Sequence, residues 1–107
     1  MKKVFISTPM TDKPPEEIAQ SFLRASESLQ PKGYTTFFSY DPDKLAEAEH
    51  NGVEFPYLYM LGISLTRMAQ CEAAYFCKGW QESRGCRLEH DAAFDYGLDI
   101  FFEEEFT

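Results

Sequence analysis

The chain has 107 residues, of which 44% are hydrophobic and 16% aromatic, enough for one domain with a modest core and with no segment that reads as disordered. A net charge of −8 argues against a nucleic-acid polymer as partner, because a broad footprint on a phosphate backbone needs clustered Lys and Arg. No apolar run approaches the length of a membrane span, and the opening MKKVFIS is too short and too soon polar for a signal peptide, so a cytoplasmic protein without a membrane partner is expected.

Lys3 to Ser7 is a short β-branched and aromatic run that predicts a buried first strand, followed by a loop from Ser7 to Lys13. Pro14, Pro15, Glu16 and Glu17 mark a helix start, Ile18, Phe22, Ala25 and Leu29 give that helix a core stripe, and Pro31 and Gly33 end it. Tyr34 to Tyr40 reads as the second strand, broken by Asp41 and Pro42. Between Asp43 and Glu54 the pattern predicts a short helix and then a turn at Asn51 and Gly52. Phe55 to Gln70 reads as a helix with Leu58, Leu61, Leu65 and Met68 at core spacing, and with Tyr57 and Tyr59 extending its apolar coverage towards a partner. Ala73 to Cys77 is the third strand, a further helix follows, and Asp99 to Glu103 is the fourth strand.

Strands that alternate with helices imply a parallel sheet covered on both faces. The expected class is α/β: one domain over residues 1–107, a flavodoxin-like or Rossmann-like three-layer sandwich whose sheet has about four strands in the order 2-1-3-4. In such sheets ligands bind beyond the carboxyl ends of the strands, near the place where strand order reverses. The loop after strand one, Ser7 to Met10, and the loop after strand three, Lys78 to Ser83, should therefore converge.

The helix after strand three carries a badly placed carboxylate. If Ser83 caps it, Gly85, Leu88, Ala92, Ala93 and Tyr96 fall within an arc of about 140°, the face expected to meet the core, and Glu89 projects near the middle of that arc. An ionised carboxylate there is expensive unless it is paired or working. It can cap a neighbouring loop or pair with Arg84, Arg87 or Lys78; alternatively it serves a site. Ser83, Gly85 and the first free amides of the helix make an anion cradle about one and a half turns before it. Cys71, Cys77 and Cys86 are odd in number and include no CxxC pair, so neither a disulfide nor a metal site is expected. Cys86 reads as a small buried filler, although a helix start can lower a thiol pKa. His50 and His90 have no third ligand at usable spacing and read as surface residues.

Ile6, Ser7, Pro9 and Met10, then Ala73 to Phe76, then Gly79, Trp80, Glu82, Ser83, Gly85, Glu89, Ala93 and Gly97 make a pattern that spans nearly the whole chain. In that order it resembles the nucleoside 2-deoxyribosyltransferase superfamily, in particular its short DUF4406-like branch found in bacteria and phages. The resemblance implies that Glu89 attacks C1′ of a nucleoside sugar, that Ser83 and Gly85 hold a 5′-phosphate, and that copies associate as a homodimer or larger assembly. The sequence departs from the pattern at Thr8, where glycine is usual, and at Glu72, where Asp is usual. The chain is also shorter than the best-characterised transferases.

The expected chemistry is cleavage or transfer at the N-glycosidic bond of a nucleoside or nucleoside 5′-monophosphate, through a glycosyl-enzyme and without cofactor or metal. The helix start and Arg84 or Arg87 would keep Glu89 ionised. Glu82 and Glu72 are candidates for the second catalytic carboxylate, and Ser7, Pro9, Met10, Gly79, Trp80, Ser83 and Gly85 for substrate or phosphate contact, with Trp80 and Tyr40 able to stack on a base. The rivals are a module of the same fold that binds a nucleotide without turnover, and an interaction protein that uses Phe101, Phe102 and Phe106 as an interface.

Overall fold

The structure is a computed structural model that describes residues 2–106. Strand β1 (Lys2–Ser7) leads into α1 (Pro15–Leu29), β2 (Tyr34–Phe38), α2 (Pro42–His50), α3 (Pro56–Met68), β3 (Ala73–Phe76), α4 (Arg84–Asp95) and β4 (Asp99–Phe102). The four strands form one all-parallel sheet in the order β2-β1-β3-β4, as the sequence predicts. The radius of gyration of 13.3 Å is that of one domain, for which about 13 Å is expected at this length.

Alternation along the strands divides the core. Val4, Ile6, Ala73, Tyr75 and Cys77 face Ala25 and Leu29 of α1, with Phe22, Phe101 and Phe106 packed at the margin. Phe5, Ala74 and Phe76 point the other way, to Met68 of α3 and Ala93 of α4, with Phe102 beside them. Phe101, Phe102 and Phe106 are thus half-buried against the core, which uses part of the apolar surface that the sequence offered as an interface.

Three local features place the helices around the sheet ends. The Asp41 carboxylate accepts from the Lys44 amide at 3.2 Å, so this residue caps α2 as well as ending the strand run before it. Arg67 donates to the Phe38 carbonyl at 3.0 Å and to Asp41 at 2.9 Å, which fastens α3 to the carboxyl end of β2. Ser83 caps α4 as expected, its hydroxyl accepting from the Cys86 amide at 3.4 Å.

Two helix faces differ from expectation. On α3 the buried residues are Met60, Ser64 and Met68, and Leu58 is 64% exposed. On α4 they are Cys86, Glu89 and Ala93, while Leu88 is exposed and Tyr96 is 86% exposed. Both helices are rotated away from the arc read from their large apolar residues. On α3 two methionines and a serine take the inner face, on α4 a cysteine, a glutamate and an alanine, and Leu58, Leu88 and Tyr96 are left in solvent. Among the described residues no helix is long and apolar enough to cross a membrane.

Candidate functional site

Strand order reverses between β1 and β3, and the loops that follow these strands do converge. Gly79 holds a left-handed φ of 88°, and a Cβ built on it would lie 3.8 Å from Pro9, so the two loops touch through a glycine. Beyond them opens a cavity of about 1080 Å³, lined among others by Thr8, Met10, Ser39, Tyr40, Ser64, Ser83, Gly85 and Glu89. A smaller hollow of about 210 Å³, walled by Pro9, Thr11, Lys13, Lys78, Gly79, Glu82 and Ser83, shares several of those walls. The larger space is ample for a nucleotide-sized ligand.

At the bottom sits Glu89. It is only 4% exposed, and its Oε1 accepts from the Ser7 hydroxyl at 2.6 Å. The contact follows from the fold: Ser7 ends β1 on the face that Phe5 presents to α4, and Glu89 projects from about one and a half turns into that helix. Burial raises the Glu89 carboxyl from 4.5 to about 7, against hydrogen bonds from Ser7 and Ser64 that pull it down. The expectation that Arg84 or Arg87 keeps this group ionised is not met. Both arginines line the cavity, but Arg87 donates to the Gln81 carbonyl at 2.9 Å, and the hydrogen bonds and ion pairs of Glu89 include neither. Desolvation dominates, so near neutrality the group is poised between its two forms.

The anion cradle is in place beside it. Arg84 and Gly85 occupy the first turn of α4, where amides have no helical partner, and a Cβ added at Gly85 would meet nothing within 4 Å. A ligand can thus approach that backbone closely. Lys13, Lys78, Arg84 and Arg87 border the two hollows together with Asp12, Glu54 and Glu82, so this rim is far less acidic than the chain of net charge −8 as a whole.

The other expected residues divide. Ser83, Gly85, Met10 and Glu82 line the large cavity, and Pro9 and Gly79 the smaller hollow. Glu72 does not belong here: it precedes β3, so it stands at the opposite end of the sheet, where its carboxylate accepts from the Lys3 amide at 2.6 Å. That backbone hydrogen bond is the main cause of its lowered pKa. Trp80 lines neither hollow. It stacks on His90 at 4.5 Å and on Phe102 at 5.5 Å, which makes it a structural aromatic and makes His90 a half-buried packing residue. Tyr40 remains at the cavity wall. Cys71, Cys77 and Cys86 are free and buried, and burial raises the Cys86 thiol rather than lowering it. Among the described residues no group of His, Cys, Asp and Glu is arranged to hold a metal ion.

Sequence reading missed Ser39 and Ser64. The Ser64 hydroxyl donates to the Ser39 carbonyl at 3.4 Å and also reaches the Glu89 carboxyl; its single proton serves one acceptor at a time. Isolated serines carry no periodic signal. The position of Ser39 just past β2, at the sheet end where ligands bind, was the available clue.

No curated protein and no solved structure matches the chain. A domain of unknown function, DUF4406, matches residues 2–102, nearly the full length and every element that builds the cavity. The chain belongs to the DUF4406 family.

Proposed function

We propose that the protein cleaves or transfers at the N-glycosidic bond of a nucleoside or nucleoside 5′-monophosphate, with Glu89 as nucleophile. The observation that carries this reading is a buried carboxyl whose Oε1 is held by Ser7 at 2.6 Å, at the wall of a cavity that also receives the open first turn of α4. The residues that resemble the nucleoside 2-deoxyribosyltransferase superfamily, Ser7, Ser83, Gly85 and Glu89, meet at this one place.

In the reaction, the free Glu89 oxygen forms a bond to C1′ as the bond from C1′ to the base nitrogen breaks. The departing base takes a proton from Glu82 or from water. Attack on C1′ by water, or by a second base, then releases the sugar and restores the carboxylate. Ser7 orients the nucleophile, the amides of Arg84 and Gly85 together with the bordering cations hold the phosphate, and the chemistry calls on no cofactor or metal. Phe55, Tyr57 and Leu58, all more than 60% exposed at the cavity rim, are where the proposal seats a second copy of the chain. The cytoplasm is the compartment this reading assigns.

One observation favours a second reading, nucleotide binding without turnover. A carboxyl raised to about 7 is half protonated at neutral pH, which suits a hydrogen-bond donor as well as a nucleophile. Incubating the protein with ribo- and deoxyribonucleoside monophosphates and following released base by chromatography separates the two. Release is expected. Tight binding of a nucleotide with no release at any pH up to 9 would establish the second reading instead. In the same assay Gly85→Ala is expected to lose about tenfold in kcat/KM for the monophosphate, because its methyl enters the cradle. It should also raise stability by up to about 1 kcal/mol, since Ala favours helix over Gly.

A further inference from the structure

Resting on the glycosidic reading of the site, we infer that Ser39 recognises the 2′-hydroxyl of the ligand's sugar, so that the cavity prefers ribosyl over 2-deoxyribosyl compounds. Ser39 Oγ is a buried side-chain oxygen with no hydrogen-bond partner, alone in this among the described residues. The residue is 1% exposed and forms part of the cavity wall. Leaving a buried hydroxyl unpaired costs about 1–3 kcal/mol, which an alanine would avoid. Such a group in a folded protein points to a ligand, ion or water that completes it.

The other serine and threonine hydroxyls around the carboxyl each have a partner, although Ser83 keeps its own proton free to donate. Ser7 donates to Glu89 at 2.6 Å, Thr8 pairs with the Cys77 sulfur at 3.2 Å, Ser83 accepts from the Cys86 amide at 3.4 Å, and Ser64 is occupied by the Ser39 carbonyl or by Glu89.

Register places the free hydroxyl. Phe5 pairs with Phe37 and Ile6 with Phe38 across the parallel strands β1 and β2, and Ser7 and Ser39 are the residues that follow this last pair. Continued alternation puts both on the face that holds Glu89, at the ends of neighbouring strands. The start of α4 lies on the other side of β1, over the β3 loop that touches Pro9. A sugar with its 5′-phosphate on that helix and C1′ above Glu89 turns the edge bearing C2′ towards β2. The hydroxyl nearest the attacked carbon is the 2′-hydroxyl, and hydrogen bonds to it gain strength in an oxocarbenium-like transition state.

The test is calorimetry of ribo, 2′-deoxy and 3′-deoxy forms of the four nucleoside 5′-monophosphates on Glu89→Gln protein, which cannot consume them. The ribo form of the preferred base should bind about tenfold more tightly than its 2′-deoxy form, as one net hydrogen bond allows. Adding Ser39→Ala should bring that ratio to within about twofold by weakening the ribo form alone. Ser39→Ala by itself should melt no lower than the parent, because it removes an unpaired hydroxyl. An unchanged ratio, an equal loss for both sugars, a preference for the 2′-deoxy form, or a dependence on Ser39 that follows the 3′-hydroxyl would overturn the inference while the glycosidic reading stands. Failure of every nucleotide to bind would overturn both.

Discussion

Glu89→Gln is expected to abolish base release, by about 10⁴-fold or more, while making the protein more stable at pH 8. The two effects share one cause. Burial raises the folded carboxyl from 4.5 to about 7, so folding favours the protonated form. Below pH 4.5 both states are protonated and the group is neutral in its effect. Between pH 4.5 and 7 the unfolded chain ionises first, and the folded state loses stability progressively. Above pH 7 the full penalty applies, on the order of 3 kcal/mol for a rise of this size. Gln keeps the shape and can still accept from Ser7, but it carries no charge. Thermal unfolding should therefore rise by roughly 13 °C at pH 8 and hardly at all at pH 4. A variant that loses activity and also loses stability at pH 8 would mean that Glu89 is held by favourable pairing, contrary to the desolvated state described above. Sites that keep such groups commonly trade stability for activity in this way.

Ser7→Ala should act in the opposite direction on stability and in the same direction on activity. The 2.6 Å bond from Ser7 to Glu89 is charge-assisted whenever the carboxylate is ionised. Its loss should cost about 1.5–3 kcal/mol at pH 8 and less at pH 4, where only a neutral hydrogen bond is lost. The nucleophile must be ionised to attack. The parent's kcat/KM should accordingly rise with pH through about 7 and level off above it. In Ser7→Ala that limb should move upward by about one pH unit, because one donor no longer favours the charged form. A limb that stays in place, with stability lowered equally at both pH values, would reduce Ser7 to a packing residue.

How far these features were legible in the sequence depends on the kind of signal each one leaves. The order of strands and helices, the Ser83 cap and the inward turn of Glu89 all rest on local periodicity and capping, and they hold in the structure. The meeting of the β1 and β3 loops follows from the topology of a parallel sheet, and the Gly79–Pro9 approach shows it. Glu72 could have been set aside on the same ground, since a residue before a parallel strand lies at the end away from the ligand.

The rotation of α3 and α4 was not legible. Leu58, Leu61 and Leu65 are at core spacing, yet Met60 and Ser64 take the inner face, because α3 is apolar on several sides and only tertiary packing chooses among them. The charge state of Glu89 was misread for a related reason. Sequence places Arg84 and Arg87 within reach, but their positions on the helix turn them to the cavity rim, and burial is left as the main influence. Ser39 and Ser64 leave no pattern in the chain. Their meaning comes from register and from an unpaired oxygen, both properties of the folded state.

The central claim is a covalent bond between Glu89 and a sugar. Mixing the protein with the nucleotide whose base it releases, quenching in acid within the first turnover, and mapping peptides by mass spectrometry tests it directly. The peptide that contains Glu89 should carry the added mass of the sugar phosphate, and the adduct should decay as free sugar phosphate appears. Base release that proceeds with an adduct on another residue, or that survives Glu89→Gln, would contradict the account.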